Sequence, residues 1–173
     1  MVYKANKFEA HLQRGGVGLE EMKRLLWAYS ERGDRLELEK RAFEDNLLGK
    51  TSRWLIKDML YAFRRRFLSN SGLPPAELVG RLLKFSIPEA AKNQTLFPYF
   101  VVTDALAERC YRDLVLSRVK DPNPHLTSKD VREHLETLSA NRPELNKWSE
   151  KLKERWSRGF LALMRRFNLM EGP

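Results

Sequence analysis

The chain reads as all-α, a bundle of about seven or eight helices. Apolar residues recur at three- and four-residue spacing along most of its length, and no segment shows the period-two alternation of a half-buried strand. Clusters of Gly, Pro, Asp, Ser and Thr separate the periodic segments, with no internal repeat and no low-complexity tract.

The elements follow in order. "LEEMKRLLWAYSERG" sets Leu19, Met22, Leu25, Leu26 and Tyr29 at helical spacing and stops at Gly33. "DRLELEKRAFEDNLLG" comes next, with Asp34 as N-cap, Leu36, Leu38, Ala42, Phe43, Leu47 and Leu48 as apolar positions and Gly49 as the C-terminal stop. The two form a helical hairpin. Thr51 or Ser52 caps a third helix that runs to "SNSG" at 69–72, and Pro74 and Pro75 suit the first turn of "AELVGRLLKFS". Pro88 opens "PEAAKNQTLF", and Pro98 is expected to break or kink the chain before a long helical stretch from about Tyr99 to Lys120. "DPNP" at 121–124 is a loop. Thr127 with Asp130 resembles a capping box, although that motif prefers Glu or Gln at its last position, and it opens "SKDVREHLETLSA". The last helix runs from near Ser149 to about Phe167.

At 173 residues the chain is long enough to close its own core. A single helical domain over 1–173 is expected, with subdomains at about 17–86 and 88–170 and a loosely ordered or extended segment over 1–16. The 42% hydrophobic and 32% charged fractions suit amphipathic helices and exclude a disordered chain, which would be poorer in Leu, Phe and Trp. The lone Cys110 cannot form an internal disulfide, and its neighbours Leu106, Ala107, Tyr111 and Leu114 make it a buried helical thiol in a reducing cytosol. The opening residues lack a secretory apolar stretch, and the longest apolar run, 96–102, is short and contains Pro98. A cytoplasmic protein with no membrane span is expected.

Charge points to a partner. Lys and Arg exceed Asp and Glu by nine, which favours a polyanion or an acidic surface as ligand. The excess is densest in "NLLGKTSRWLIKDMLYAFRRRF", residues 46–67, which holds six Lys/Arg and one Asp. At about 100° per residue, Lys50, Arg53, Lys57, Tyr61, Arg64 and Arg65 fall within a band of about 120° that also contains Trp54. Leu55, Ile56, Met59, Leu60, Phe63 and Phe67 occupy the other side.

This arrangement has two readings. Lys and Arg neutralise phosphates while Trp54 and Tyr61 meet sugars or stack on exposed bases. Alternatively the face is merely solvated and its aromatic residues pack under a neighbouring helix. Only Asp58 is acidic between Lys50 and Asn70, so intrahelical pairs are lacking and a partner is the simpler reason to keep the charge. The final helix repeats the pattern, with Lys151, Arg155, Arg158, Arg165 and Arg166 along one stripe and Leu152, Trp156, Phe160, Leu163 and Phe167 along the core stripe. Two basic faces on one side of the fold would make a groove for a nucleic-acid backbone. A membrane-surface role is disfavoured because the apolar faces are used by the core.

Catalytic signatures are missing. His11, His125 and His134 have no partner at metal-ligand spacing, and His134, beside Glu133 and Glu136, reads as a solvated histidine. Gly15, Gly16 and Gly18 are not followed by a phosphate-loop Lys, and "GKTS" at 49–52 lacks the upstream Gly and follows a helix, so it is a C-cap followed by an N-cap. Neither a nucleophile elbow nor paired carboxylates occur. A non-enzymatic protein without metal or cofactor is expected.

With these residues in view, "YKANKF", "LEEM", "FEDNLLGKTS", "RRRFL" and "PELNKWSEKLKERW" resemble the BrxA family of bacteriophage exclusion (BREX) defence systems. The likeness runs from Tyr3 to about Met170, and "EDNLLGKTS" and "PELNKWSE" are its most specific pieces. The resemblance implies a helical fold similar to the NusB antitermination proteins, DNA binding, and a place beside the other components of the defence system, with no catalytic residues to carry over. One departure is Leu152, where the family pattern leads us to expect a small hydroxyl residue.

The combined expectation is a binder of double-stranded DNA that acts mainly on phosphates. Its contacts are Lys50, Arg53, Lys57, Arg64 and Arg65 on one helix and Arg155, Arg158 and Arg165 on the other, with Trp54 and Tyr61 as aromatic contacts. Low sequence specificity follows, because no helix carries a set of Asn, Gln and Arg free to read base edges. The alternatives are RNA as ligand, or an adaptor whose basic surface docks another component of the defence complex.

Overall fold

Cap chemistry divides the chain largely where the sequence places its boundaries. The computed structural model describes residues 8–10, 18–69, 72–122 and 124–171. Among them are nine α-helices and no strand. The described residues cluster into two units, 18–99 and 8–10 with 100–171. The loose segment expected over 1–16, the "GGVG" stretch and His11 lie largely outside the described residues.

In the first unit α1 (Leu19–Arg32) buries Leu19, Met22, Leu25 and Leu26 and ends at Gly33, whose φ of 67° is the left-handed conformation that favours glycine. Asp34 caps α2 (Arg35–Glu44) by accepting from the amides of Leu36 and Glu37. This helix stops before Leu47 and Leu48, earlier than its apolar pattern suggests. Asn46 turns left-handed at φ 49°, and its Oδ1 accepts from the Lys50 amide, offering the backbone a tight turn in place of a further helical turn. Ser52 rather than Thr51 caps α3 (Arg53–Phe63), which continues as a π-helical turn over Arg64–Leu68.

Pro75 is the N-cap of α4 (Ala76–Leu82) rather than part of its first turn. Gly80 sets α4 against α1, since a Cβ there would stand 2.3 Å from the Leu26 carbonyl oxygen. A row of aromatic rings fills the interior: Tyr29 meets Phe63 at 5.8 Å, Phe63 meets Phe67 at 5.5 Å, and Phe67 stacks on Tyr99 at 4.9 Å. Lys23 is also buried, its ammonium held by Glu20 at 2.8 Å and by Glu89.

α5 (Glu89–Val102) continues unbroken through Pro98, so the expected break is not there. Proline removes one hydrogen bond, which a helix can carry; the chain breaks instead at Thr103–Asp104, where the Asp104 carboxylate accepts from the Ala107 amide and starts α6 (Ala105–Cys110). In the second unit α6 continues as a π turn over Tyr111–Val115 and a 3-10 turn over Leu116–Arg118. The capping box is complete, with Thr127 and Asp130 exchanging both bonds at the start of α7 (Ser128–Ser139). A short α8 (Pro143–Asn146), which the periodicity does not predict, precedes α9 (Glu150–Arg166).

Ser149 caps α9 by accepting from the amide of Leu152, so the departure from the family pattern at Leu152 leaves the helix cap in place. α9 buries Trp156, Phe160, Leu163 and Met164; Phe160 stacks on Trp156 at 5.6 Å, and Phe167 meets Phe100 edge-on at 4.9 Å. Cys110 is buried and free, and burial pushes its thiol pKa well up, leaving it protonated and inert. His134 is not the solvated side chain expected. It is largely buried, with Nε2 3.2 Å from Asp113, because α7 turns it inward. Burial lowers its pKa, with Arg109 and Arg118 adding to this and Asp113 opposing it.

Candidate nucleic-acid interface

α3 is amphipathic as its sequence demands: Ile56, Met59, Leu60 and Phe63 are buried, while Arg53, Trp54, Lys57 and Tyr61 are exposed. Trp54 is 70% exposed and Tyr61 49%, so neither packs under a neighbouring helix. They lie seven residues apart, about 10 Å of helical rise and nearly the same azimuth, with Lys57 between them.

The cations divide into two groups. Arg53 and Lys57 face solvent with no carboxylate partner among the described residues, and the Arg53 guanidinium lies 5.8 Å from the centroid of the Phe43 ring. Both stand in the N-terminal half of a helix whose first turn holds no acidic residue, where the helix dipole disfavours positive charge. Local helix stability therefore does not account for them.

Lys50 and Arg64 are paired after all. Lys50 reaches Glu21 of α1 at 2.8 Å and Arg64 reaches Glu39 of α2 at 2.7 Å. Partners within the helix are lacking, as expected, but the expectation that the charges are therefore left unpaired is corrected for Lys50 and Arg64: their carboxylates come from other helices, which spacing within one helix cannot reveal. Burial raises the pKa of Glu21, but the bond from Lys50 and its charge more than offset this and hold the carboxyl below its usual range. Arg65 is half-buried, and Arg66, beside it in the run of three, is buried and lies off the basic face.

A shallow depression of about 500 Å³ opens beside α3, lined by Glu39 and Phe43 of α2 and by Trp54, Lys57, Asp58, Leu60, Tyr61 and Arg64. Glu39, Phe43 and Asp58 are not among the contacts expected from the sequence. The i,i+4 spacing of Glu39 and Phe43, together with the hairpin expected between the first two helices, is the signal that points to them.

In the second unit α9 carries its own basic stripe. Lys151, Arg155, Arg158 and Arg166 are exposed and Arg165 is half-buried. Arg158 pairs with Glu154 one turn earlier, and Lys153 with Glu150 at 2.8 Å. Among the described residues no group of three or more His, Cys, Asp or Glu is placed to hold a metal ion, and no helix is long and apolar enough to cross a membrane.

Comparison with known proteins agrees with the sequence motifs. No curated protein and no solved structure matches the chain. The family model for BrxA matches residues 6–173, nearly the whole length. The chain therefore belongs to the BrxA family, a component of BREX phage defence.

Proposed function

We propose that this chain serves its defence system as a non-enzymatic DNA-binding component, holding the phosphate backbone through the solvent-facing side of α3 and through the stripe of α9. The observation that carries this reading is the exposure of Trp54 and Tyr61 on the same helix face as Arg53 and Lys57, which meet no carboxylate among the described residues. Exposed aromatic surface is costly in water, and aromatic rings interleaved with cations suit a ligand with both charge and stackable rings. Arg155, Arg158 and Arg165 supply further phosphate contacts, with Lys50, Arg64 and Arg65 as secondary ones.

The test is fluorescence anisotropy of a labelled duplex at three salt concentrations. The logarithm of the binding constant should fall linearly with the logarithm of salt, by roughly 0.9 for each phosphate neutralised. The double variant Arg53→Glu, Lys57→Glu should lose most of the affinity while remaining folded. Binding that ignores both salt and the double substitution refutes the reading.

A second reading, an adaptor for another defence component, is favoured by the exposed Leu78, Leu82 and Phe85, which sit at i, i+4 and i+7 along and just beyond α4. Such an interface has an apolar centre and responds far less to salt. Competition with RNA of equal length separates the DNA reading from an RNA one. The NusB-like fold implied by the family accommodates all three, since fold alone does not choose a ligand.

A further inference from the structure

The depression beside α3 differs chemically from a plain phosphate-binding surface. Its aromatic lining comes from Phe43, Trp54 and Tyr61, yet two carboxylates, Glu39 and Asp58, share it with Lys57 and Arg64. A site for backbone phosphate alone gains nothing from carboxylates, which repel it. Glu39 is accounted for, since it accepts from Arg64 at 2.7 Å and from Arg35 at 3.0 Å. Asp58 is not: it is half-buried and, among the described residues, has neither a side-chain hydrogen bond nor an ion pair. An ionised carboxylate in that position only accepts, so the depression offers acceptors to a ligand that donates.

We propose that this depression is a nucleobase pocket that takes one unpaired base, guanine by preference. The base stacks on the ring of Trp54, the more exposed of the two, and turns its N–H edge to Asp58, while Arg53 and Lys57 hold the flanking phosphates. This rests on the nucleic-acid reading of the same face. Guanine fits best because its N1–H and 2-amino group are adjacent donors that match the two oxygens of a carboxylate. Adenine and cytosine offer one amino group beside an acceptor nitrogen, and thymine has one N–H between two carbonyls. In a duplex the guanine donors are used in pairing, so the pocket selects a bulged, mismatched or terminal base, for which unstacking costs least. A volume of about 500 Å³ lies within the range of small-ligand sites.

The experiment compares a matched duplex with the same duplex carrying one bulged guanine or one bulged thymine, by anisotropy at constant salt. The bulged guanine should bind roughly tenfold tighter than the matched duplex, and the bulged thymine less tightly than the guanine. Asp58→Asn should remove the preference for guanine over thymine. Trp54→Ala should lower affinity for both bulged duplexes by a larger factor than affinity for the matched duplex, so that the gain from the bulges is lost; its exposure keeps the fold out of question, which circular dichroism checks. Equal affinity of the unsubstituted protein for all three DNAs overturns the pocket while leaving the phosphate-binding face standing. A guanine gain that survives both Asp58→Asn and Trp54→Ala also overturns it. Absence of binding to every DNA overturns the pocket and the face together.

Discussion

Arg64 of the basic helix reaches across to Glu39 of α2 at 2.7 Å, and the same carboxylate oxygen accepts from Arg35 at 3.0 Å. Glu39 thus holds two cations that would otherwise face solvent. Replacing it with Gln should free Arg64 for phosphate, raising duplex affinity at low salt and steepening the log–log salt slope by about 0.9, one additional contact. The fold should lose less than about 1 kcal/mol, because the pairs are partly exposed. Salt-dependent anisotropy and urea melts of Glu39→Gln read the two effects separately.

Gly80 of α4 packs directly against the backbone of α1. A methyl group there would stand 2.3 Å from the Leu26 oxygen and 2.6 Å from the Ser30 Cβ, and backbone cannot yield as a flexible side chain does. Gly80→Ala should therefore destabilise by about 1–3 kcal/mol despite the better helix propensity of Ala. The midpoint of urea denaturation should fall; an unchanged or raised midpoint would show that α4 is not seated this tightly.

Lys23 is a buried cation, its side chain 3% exposed, and its ammonium is held by Glu20 and Glu89. Burial alone lowers its pKa, but the bonds to Glu20 and Glu89 outweigh this and raise it. That contribution to stability is fully present below the ordinary lysine value and is lost only as pH rises through the folded-state one. Glu89 titrates at the other end: the bond from Lys23 lowers its pKa, so its contribution is present above the ordinary glutamate value and is lost as pH falls through the folded one. Removing both carboxylates strands the charge. The double variant Glu20→Gln, Glu89→Gln should cost about 3 kcal/mol, more than the sum of the single variants, and thermal melts in a double-mutant cycle measure the difference.

His134 gives an acid response that an exposed histidine, titrating alike in the folded and unfolded chains, does not. Burial depresses its folded-state pKa, so as pH falls below about 6.5 the unfolded chain takes up a proton before the folded one does, and stability declines across that window. His134→Gln should flatten this decline, with the urea midpoint at pH 5 approaching that at pH 7. A pH response that is the same in both proteins would mean that His134 titrates equally in the folded and unfolded chains.

Local rules made most of the fold legible. The caps at Asp34, Ser52, Thr127 and Ser149, the stop at Gly33 and the core stripes of α1, α3 and α9 all follow from interactions within a few residues of one another. The failures came where two local signals competed. Pro98 was a plausible break, but Asp104, followed by residues that favour helix, supplied a better one; Leu47 and Leu48 continued an apolar period that Asn46 ended with a turn.

The sequence by itself determined the helical class, the family, and the sorting of α3 into an apolar and a basic side, because helical periodicity is a property of neighbours along the chain. Tertiary structure decided which charges on that side remain available. Lys50 and Arg64 meet carboxylates 29 and 25 residues earlier in the chain, while Arg53 and Lys57 meet none among the described residues. It also left Trp54 and Tyr61 in solvent beside Asp58 and Phe43. Ion pairing and exposure depend on which helices pack together, and the spacing of residues within one helix carries no record of that.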